Sequence, residues 1–441
     1  MRRTSSAVLS AIALFFLSPQ ASHAQELANI LTTLFDANHP LILAETGHQA
    51  HFSLENNGLN RLNATAGLLN KNISYQLSSF PLGSSSGGFT FTLDPALGTL
   101  NRTTDSFGPL FAERALTSGK GKLTLGSTYQ RSSFDRFEGN DLRDGEIHST
   151  LTHQQIEGRD LHFEGDIIDA AFFIDLKTDT FTVFANYGIS DRFDVGVAVP
   201  VQRVDLTARV GLTILNVASG ADANQVHFFT DGGLTSERGD SGSASGIGDV
   251  VLRGKLGLVQ GDWGGLAAGA DVRLGTGDAA NLLGTGSTQV KGYLIASGGK
   301  SRFSPHVNAG YTFTGDSDQF GVLPDEIGYA AGFDAAVTPR LTFNADLVGR
   351  MLLDAERLSQ TDVEYRYRLF TDPVGTTPRS VVRQELLASE PGNLNLLLGA
   401  VGLKFNPTGR LLLSGNLLIS LSKDNGLQDT LTPVFAIDYN F

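Results

Sequence analysis

From about Lys120 to the C-terminus, apolar residues recur at every second position. In Leu266–Leu274, Leu266, Ala268, Ala270, Val272 and Leu274 share one face, and Ala267, Gly269, Asp271 and Arg273 share the other. Val250–Leu258 repeats the pattern with Arg253 and Lys255 on the polar face. Leu341–Met351 sets Thr342, Asn344, Asp346 and Arg350 against Leu341, Phe343, Ala345, Leu347 and Met351. Such alternation predicts strands with one face in an apolar medium. It places strands near 120–136, 171–189, 192–212, 247–259, 264–275, 288–299, 302–315, 326–337, 340–355, 393–406, 410–422 and 431–441. The stretch 160–176 either extends the second strand above a membrane or forms its own element.

A soluble antiparallel sheet alternates in the same way. Three features favour lipid. Short connections (190–192, 261–264, 299–301, 338–340, 407–409) alternate with long ones near 214–246, 277–286, 316–325, 357–392 and 423–430, as in outer-membrane barrels. Aromatic residues recur near strand ends: Tyr187, Phe193, Trp263, Phe303, Tyr311, Phe313, Tyr329 and Phe405. Such girdles mark bilayer interfaces. The chain ends with Phe435, Ile437, Tyr439 and Phe441 on one face. This resembles the final strand of bacterial outer-membrane proteins, and that resemblance makes Tyr439 and Phe441 a signal to the barrel-assembly machinery. The expected fold is all-β: an antiparallel transmembrane β-barrel of about 12 strands. An even count lets the sheet close with both ends on one side, and an open edge in lipid would strand backbone polar groups.

The N-terminus follows other rules. Met1-Arg2-Arg3 is basic, Ala7–Leu17 is apolar, and Ser22-His23-Ala24 offers small residues for cleavage. Residues 1–24 are expected to be a secretory signal peptide; the alternative, an anchored helix, has too few apolar residues to span. Residues 25–118 break the period-two rhythm. Glu26–Phe35 suits a short helix, and the Ser/Gly-rich stretch 78–95 does not. This segment is expected to plug the barrel at its periplasmic mouth; a periplasmic arm, early strands or a flexible tether are the alternatives. Residues 119–441 are the expected barrel.

Composition narrows the classes. The 441 residues include Lys+Arg 33, Asp+Glu 46, Gly 51 and Cys 0. Without cysteine there is no disulfide scaffold, thiolate zinc site or cysteine nucleophile. Loss of Arg2 and Arg3 with the leader leaves 31 basic against 46 acidic side chains, a net charge of -15. That balance argues against nucleic acid as a partner. Outer-membrane lipid is the expected surrounding, and no cofactor is implied.

Three blocks carry a resemblance: Tyr187–Pro200 (YGISDRFDVGVAVP), Gly246-Ile247-Gly248-Asp249, and Gly275-Thr276-Gly277-Asp278 with Gly284-Thr285-Gly286-Ser287. They resemble the outer-membrane proteins grouped as a MetA-pathway phenol-degradation or transporter family, loosely similar to fatty-acid and aromatic-hydrocarbon channels. The resemblance covers roughly 180–441. It implies passage of small hydrophobic or aromatic solutes across the outer membrane.

The polar strand faces nominate lumen-lining residues: Arg203, Asp205, Arg209, Arg253, Lys255, Asp271, Arg273, Lys291, His306, Asp334, Asp346, Arg350, Lys404 and Asp438. Such a lumen could select solutes by size and polarity; alternatively these charges pair and fill a narrow bore. Pro200 sits inside a strand, where proline removes a ladder donor. The apolar set also slips there, from Val195, Val197, Val199 and Val201 to Val204, Leu206, Ala208 and Val210. One extra residue near Gln202 predicts a bulge, and Pro200 with Gln202 becomes a candidate lateral portal, or else a curvature device.

No catalytic or metal constellation emerges. Gly83-Ser84-Ser85-Ser86-Gly87 spells a nucleophile elbow without its strand-to-helix context. His48 and His51 lack a further ligand, and Asp316-Ser317-Asp318 reads as a turn before it reads as a calcium loop. The expected function is a passive, non-enzymatic outer-membrane channel for small hydrophobic or aromatic molecules. A structural or surface-receptor barrel with binding loops is the alternative, and an outer-membrane lipid hydrolase is a further one.

Overall fold

A computed structural model describes residues 26–34, 58–79, 83–84, 91–94, 99–102, 105–151, 167–215, 228–229, 232–261, 264–298, 302–367 and 380–441. The expected leader and His48, His51 and Trp263 lie outside the described residues. Two helices, α1 (Leu27–Thr33) and α2 (Gly58–Ser78), precede the strands. The main strands are β1 (Leu123–Phe134), β2 (Ile147–Leu151), β3 (Ile167–Gly188), β4 (Phe193–Leu215), β5 (Thr235–Ile247), β6 (Val251–Gly261), β7 (Gly264–Arg273), β8 (Gln289–Gly298), β9 (Phe303–Thr314), β10 (Glu326–Thr338), β11 (Leu341–Tyr367), β12 (Ser380–Phe405), β13 (Leu411–Ser420) and β14 (Leu431–Asn440).

Twelve of these close a ring in the order β3-β1-β14-β13-β12-β11-β10-β9-β8-β7-β6-β4, all pairs antiparallel, with β4 returning to β3. The first and last strands of the ring meet as Asn440↔Thr124 through Val434↔Gln130. The Phe441 N–H donates to the Leu123 carbonyl at 2.8 Å, and its ring stacks edge-on against Tyr439 at 4.7 Å. β2 and β5 stand outside the ring, paired to the upper halves of β3 and β4.

Within the belt, side chains alternate as the sequence predicts. Leu256, Leu266, Leu294, Val307 and Phe435 face outward and are exposed. Asp271, Asp334, Asp346, Lys404 and Asp438 lie on the opposite face, turned into the lumen. Tyr187, Phe193, Phe303, Phe405 and Phe441 ring the end with short turns, and Tyr311 and Phe313 sit outward near the other. By the rule for such barrels, the short turns are periplasmic and the long connections extracellular.

Above the belt the arrangement inverts. Ile168, Ala170, Phe172, Ile174 and Leu176 of β3 and Val204, Leu206, Ala208, Val210 and Leu212 of β4 all face inward. They share one buried core with Leu27, Ile30 and Leu31 of α1, Leu69, Ile73 and Leu77 of α2, and Leu282 and Leu283. β5 comes close enough for α1 to seat because position 242 is glycine: a Cβ there would meet Leu27 at 2.8 Å and Ile30 at 3.1 Å.

This inversion corrects two expectations. There is no bulge near Gln202: β3 and β4 pair without interruption from Ile167↔Leu215 to Gly188↔Asp194, with Pro200 opposite Thr182. The apolar set changes face because the outer medium changes from lipid to water while the inner medium becomes apolar. Arg203, Asp205 and Arg209 therefore do not line the lumen. Arg203 pairs with Asp205 at 3.0 Å on the exposed outer face. Arg209 pairs with Glu237 of β5 at 2.7 Å and lies 3.9 Å from the Phe173 ring centroid.

Two expected loops are in part strands. β5 occupies the end of 214–246, and β11 and β12 continue the ladder to Tyr367↔Ser380, past a register shift between Leu352 and Ala355. The extended second strand, one of the two readings of 160–176, is observed from Ile167.

Candidate luminal site

The lumen is polar because an irregular stretch of chain runs through it. Residues 105–118 have no helix or ladder to satisfy their backbone, so inward barrel side chains do so. The Phe107 N–H donates to Thr342 Oγ1 at 3.0 Å, Glu113 N–H to Asn308 Oδ1 at 2.7 Å, Ala115 N–H to Ser297 Oγ at 3.1 Å and Ser118 N–H to Asp194 Oδ2 at 2.8 Å. Lys404 Nζ donates to the Pro109 carbonyl at 2.7 Å.

One side chain of this stretch locks into a charged cluster. Arg114 is 1% exposed. Its Nε donates to Asp334 Oδ1 at 3.1 Å, and its Nη2 bonds Asp334 Oδ2 and Ser106 Oγ. His306 sits between two carboxylates, with Nε2 2.7 Å from Asp346 Oδ1 and Nδ1 3.6 Å from Asp334 Oδ1. Asp438 is buried on the lumen face of β14, with its Oδ1 unpartnered among the described residues.

Above this layer lies a cavity of about 140 Å³, roomy enough for on the order of ten waters. Phe111 and Glu113 of the luminal stretch line it on one side and Ser79, just past α2, on another. Arg253, Asp271, Arg273, Lys291, Glu326 and Arg350 supply its charges, and Tyr293 its aromatic wall. Arg253 contacts Asp271 at 3.3 Å and Glu113 at 3.6 Å. Lys255, behind the wall, reaches Glu113 at 3.2 Å. Arg350 is bonded to Glu326 at 2.6 Å and to Ser79 Oγ at 2.6 Å. Tyr293 donates to Asp271 Oδ1 at 3.1 Å. On α2, the Tyr75 hydroxyl donates to the Pro324 carbonyl at 3.0 Å. Burial, and then the neighbouring Glu326 carboxylate, push that hydroxyl up to about 12, so it stays a donor.

Beside the cavity the wall changes partner. β4 pairs with β6 up to Ala198 and with β5 from Val201. Between them, the Pro200 carbonyl accepts only the Gly248 N–H from that side, at 2.9 Å. The donor that proline lacks faces the same side, so the residue costs the ladder nothing where no partner strand runs. Gln202 points inward next to the break, and its Oε1 has no partner among the described residues.

The glycine-rich motifs meet at this break. Asp249, 1% exposed, accepts from Gly277 N–H and Thr285 N–H at 3.0 Å each and from the Thr285 hydroxyl at 3.2 Å. Gly277 and Gly284 touch backbone to backbone: a Cβ on Gly277 would lie 2.8 Å from the Gly284 Cα. The remaining eleven predicted lining residues do face the lumen or its cavity. Sequence reading missed Glu113, Arg114, Asp194, Asn308 and Asp249. Asp194 and Asn308 belong to the same inward alternation and were legible from it; Glu113, Arg114 and Asp249 lie in stretches with no period.

Residues 167–375, just under half of the chain, match the family described as "Putative MetA-pathway of phenol degradation", against the span of about 180–441 suggested by the motifs. No curated protein matches the sequence. Among solved structures, an outer membrane channel from Pseudomonas putida F1 is 14% identical, with 74% of this chain and 98% of that chain covered and a TM-score of 0.43. A Pseudomonas aeruginosa FadL homologue is 10% identical, covering 73% and 90%, with a TM-score of 0.31. The Ralstonia pickettii toluene transporter TbuX is 13% identical, covering 83% and 100%, with a TM-score of 0.30. The chain is an outer-membrane-type antiparallel β-barrel that resembles the phenol-degradation family over 167–375.

Proposed function

We propose that the protein is a passive channel of the bacterial outer membrane for small hydrophobic or aromatic molecules. It reaches that membrane through a cleaved leader and the barrel-assembly machinery, with Tyr439 and Phe441 as the signal. The observation that carries this reading is the luminal cavity between residues 105–118 and the end of α2. A barrel built only as a staple would be filled by its own side chains. Residues 25–118 act as the plug: their displacement opens the bore.

A bore lined by Arg253, Lys255, Asp271 and Arg350 does not favour an apolar solute. Such a solute leaves sideways, at the partner change beside Pro200 and Gln202. Two measurements test the reading. Proteoliposomes containing the protein should take up toluene or phenol faster than empty ones, and faster than an equal-sized sugar; tight vesicles for every solute would overturn the channel. Pro200→Val puts a backbone N–H and a β-branched side chain at the break, and unchanged toluene uptake by that variant would remove the side exit while leaving the channel standing.

A second reading draws on the β11–β12 hairpin. Beyond the register shift it continues for the span Ala355–Tyr367 against Ser380–Gly392, roughly 40 Å of ladder at about 3.3 Å per residue. A projection of that length suits a surface receptor. Deleting 358–389 separates the two: a channel keeps its flux, and a receptor loses this tall hairpin.

A further inference from the structure

The cavity carries more positive charge than its carboxylates neutralise. Four basic groups, Arg253, Arg273, Lys291 and Arg350, line its wall with three carboxylates, Glu113, Asp271 and Glu326; Lys255 stands behind the wall, with Asp194 across from it on β4. Those three are already engaged: Glu113 by Lys255 and Arg253, Asp271 by Arg253, Glu326 by Arg350. The nearby Asp249 is committed to the backbone of Gly277 and Thr285. Arg273 reaches only a carbonyl, that of Ser78, and no carboxylate among the described residues. Lys291 has no hydrogen-bond or ion-pair partner among the described residues; its ammonium lies 5.7 Å from the Tyr293 ring centroid. Asp271 and Glu326 act on both cations from a distance, but neither cation touches a carboxylate; cations held away from bulk water without such a contact are costly, and a bound anion supplies it. Beside them, Phe111, Val251, Tyr293 and Ala330 give the wall an apolar, partly aromatic side.

We propose that Arg273 and Lys291 bind the carboxylate of a small aromatic or short apolar acid, whose body rests on Phe111 and Tyr293. Resting on the channel reading above, the site makes the favoured solute an organic anion. A guanidinium and an ammonium suit a carboxylate by charge and donor number, and an apolar body suits the rest of the wall.

The test uses the folded, full-length protein in detergent. Calorimetric titration with benzoate should show binding, and benzyl alcohol, of equal size and neutral, should bind at least tenfold more weakly. Arg273→Gln with Lys291→Gln should weaken benzoate binding at least tenfold. Equal binding of the two ligands, unchanged benzoate binding by the variant, or inorganic phosphate binding as tightly as benzoate would each overturn the assignment. Should the variant not fold, reductive methylation of the wild-type protein still decides: benzoate should slow modification of Lys291 and benzyl alcohol should not, and equal rates would refute the site. Benzoate binding in tight vesicles would end the channel reading and keep the site; flux without benzoate binding would do the reverse.

Discussion

In the membrane belt the barrel is apolar outside and polar inside; one tier higher, β3 and β4 are polar outside and apolar inside. Between themselves β3 and β4 keep one register throughout, while each changes its other neighbour: β3 from β1 to β2, and β4 from β6 to β5. Odd-numbered residues of β4 face outward throughout, yet Val195, Val197 and Val199 meet lipid while Arg203, Asp205 and Arg209 meet water. The two tiers are two solutions of one problem. The belt has lipid for an outer solvent, so its interior is free to be polar and hold an irregular backbone. The upper tier has water outside and must make a soluble core, and α1 and α2 supply the missing half of it.

The largest expected effects come from breaking each interior in its own terms. Phe172→Ala cuts into the upper core and should cost about 3–5 kcal/mol. Asp334→Ala leaves Arg114 charged and buried without its partner, which should cost about 3–5 kcal/mol. Urea unfolding in detergent, followed by the heat-dependent gel shift of the barrel, measures both. The comparison sharpens if the order of events differs: Phe172→Ala should loosen protease resistance of α1 and α2 while the belt stays closed.

Next comes the outer face. Leu294 is 64% exposed near mid-belt, so Leu294→Arg places a charge in lipid at about 2–4 kcal/mol. Thr207→Arg, on the equivalent outer face one tier up, should be close to neutral. Folding titrations into liposomes read the difference. Equal costs at the two sites would mean that lipid reaches Thr207, and the tier boundary would have to move.

What the sequence made legible follows from the same contrast. All twelve ring strands are visible because each has at least one stretch where lipid demands an apolar face. β5 is not, because TSERGDSGSASGI has water on one side and Ser236, Arg238, Asp240, Gly242, Ala244 and Gly246 on the other, so there is no apolar period to read. The upper parts of β11 and β12 fail for a like reason: in β11, Glu356, Arg357 and Ser359–Asp362 break the apolar period. The supposed bulge at Gln202 came from treating an apolar switch as an extra residue; a change of solvent produces the same string of letters. At the site, the inward charges were readable from alternation, but Arg114 and the role of Asp249 were not. Both act on partners more than 25 residues away, in loops that carry no period.

The smallest expected effect tests the boundary most finely. Arg203 and Asp205 form an exposed pair at 3.0 Å, a class worth about 0–1 kcal/mol and screened by salt. Arg203→Gln should therefore leave urea stability within about 0.5 kcal/mol of the parent, and leave flux of every solute unchanged. Had Arg203 lined the bore, the same substitution would shift the reversal potential of the channel toward cations. Arg253→Gln, which does line the cavity, should produce that shift. A planar-bilayer measurement on the two variants compares an outer and an inner arginine 50 positions apart, and a shift in Arg203→Gln would mean that water above the belt and water in the bore are one compartment.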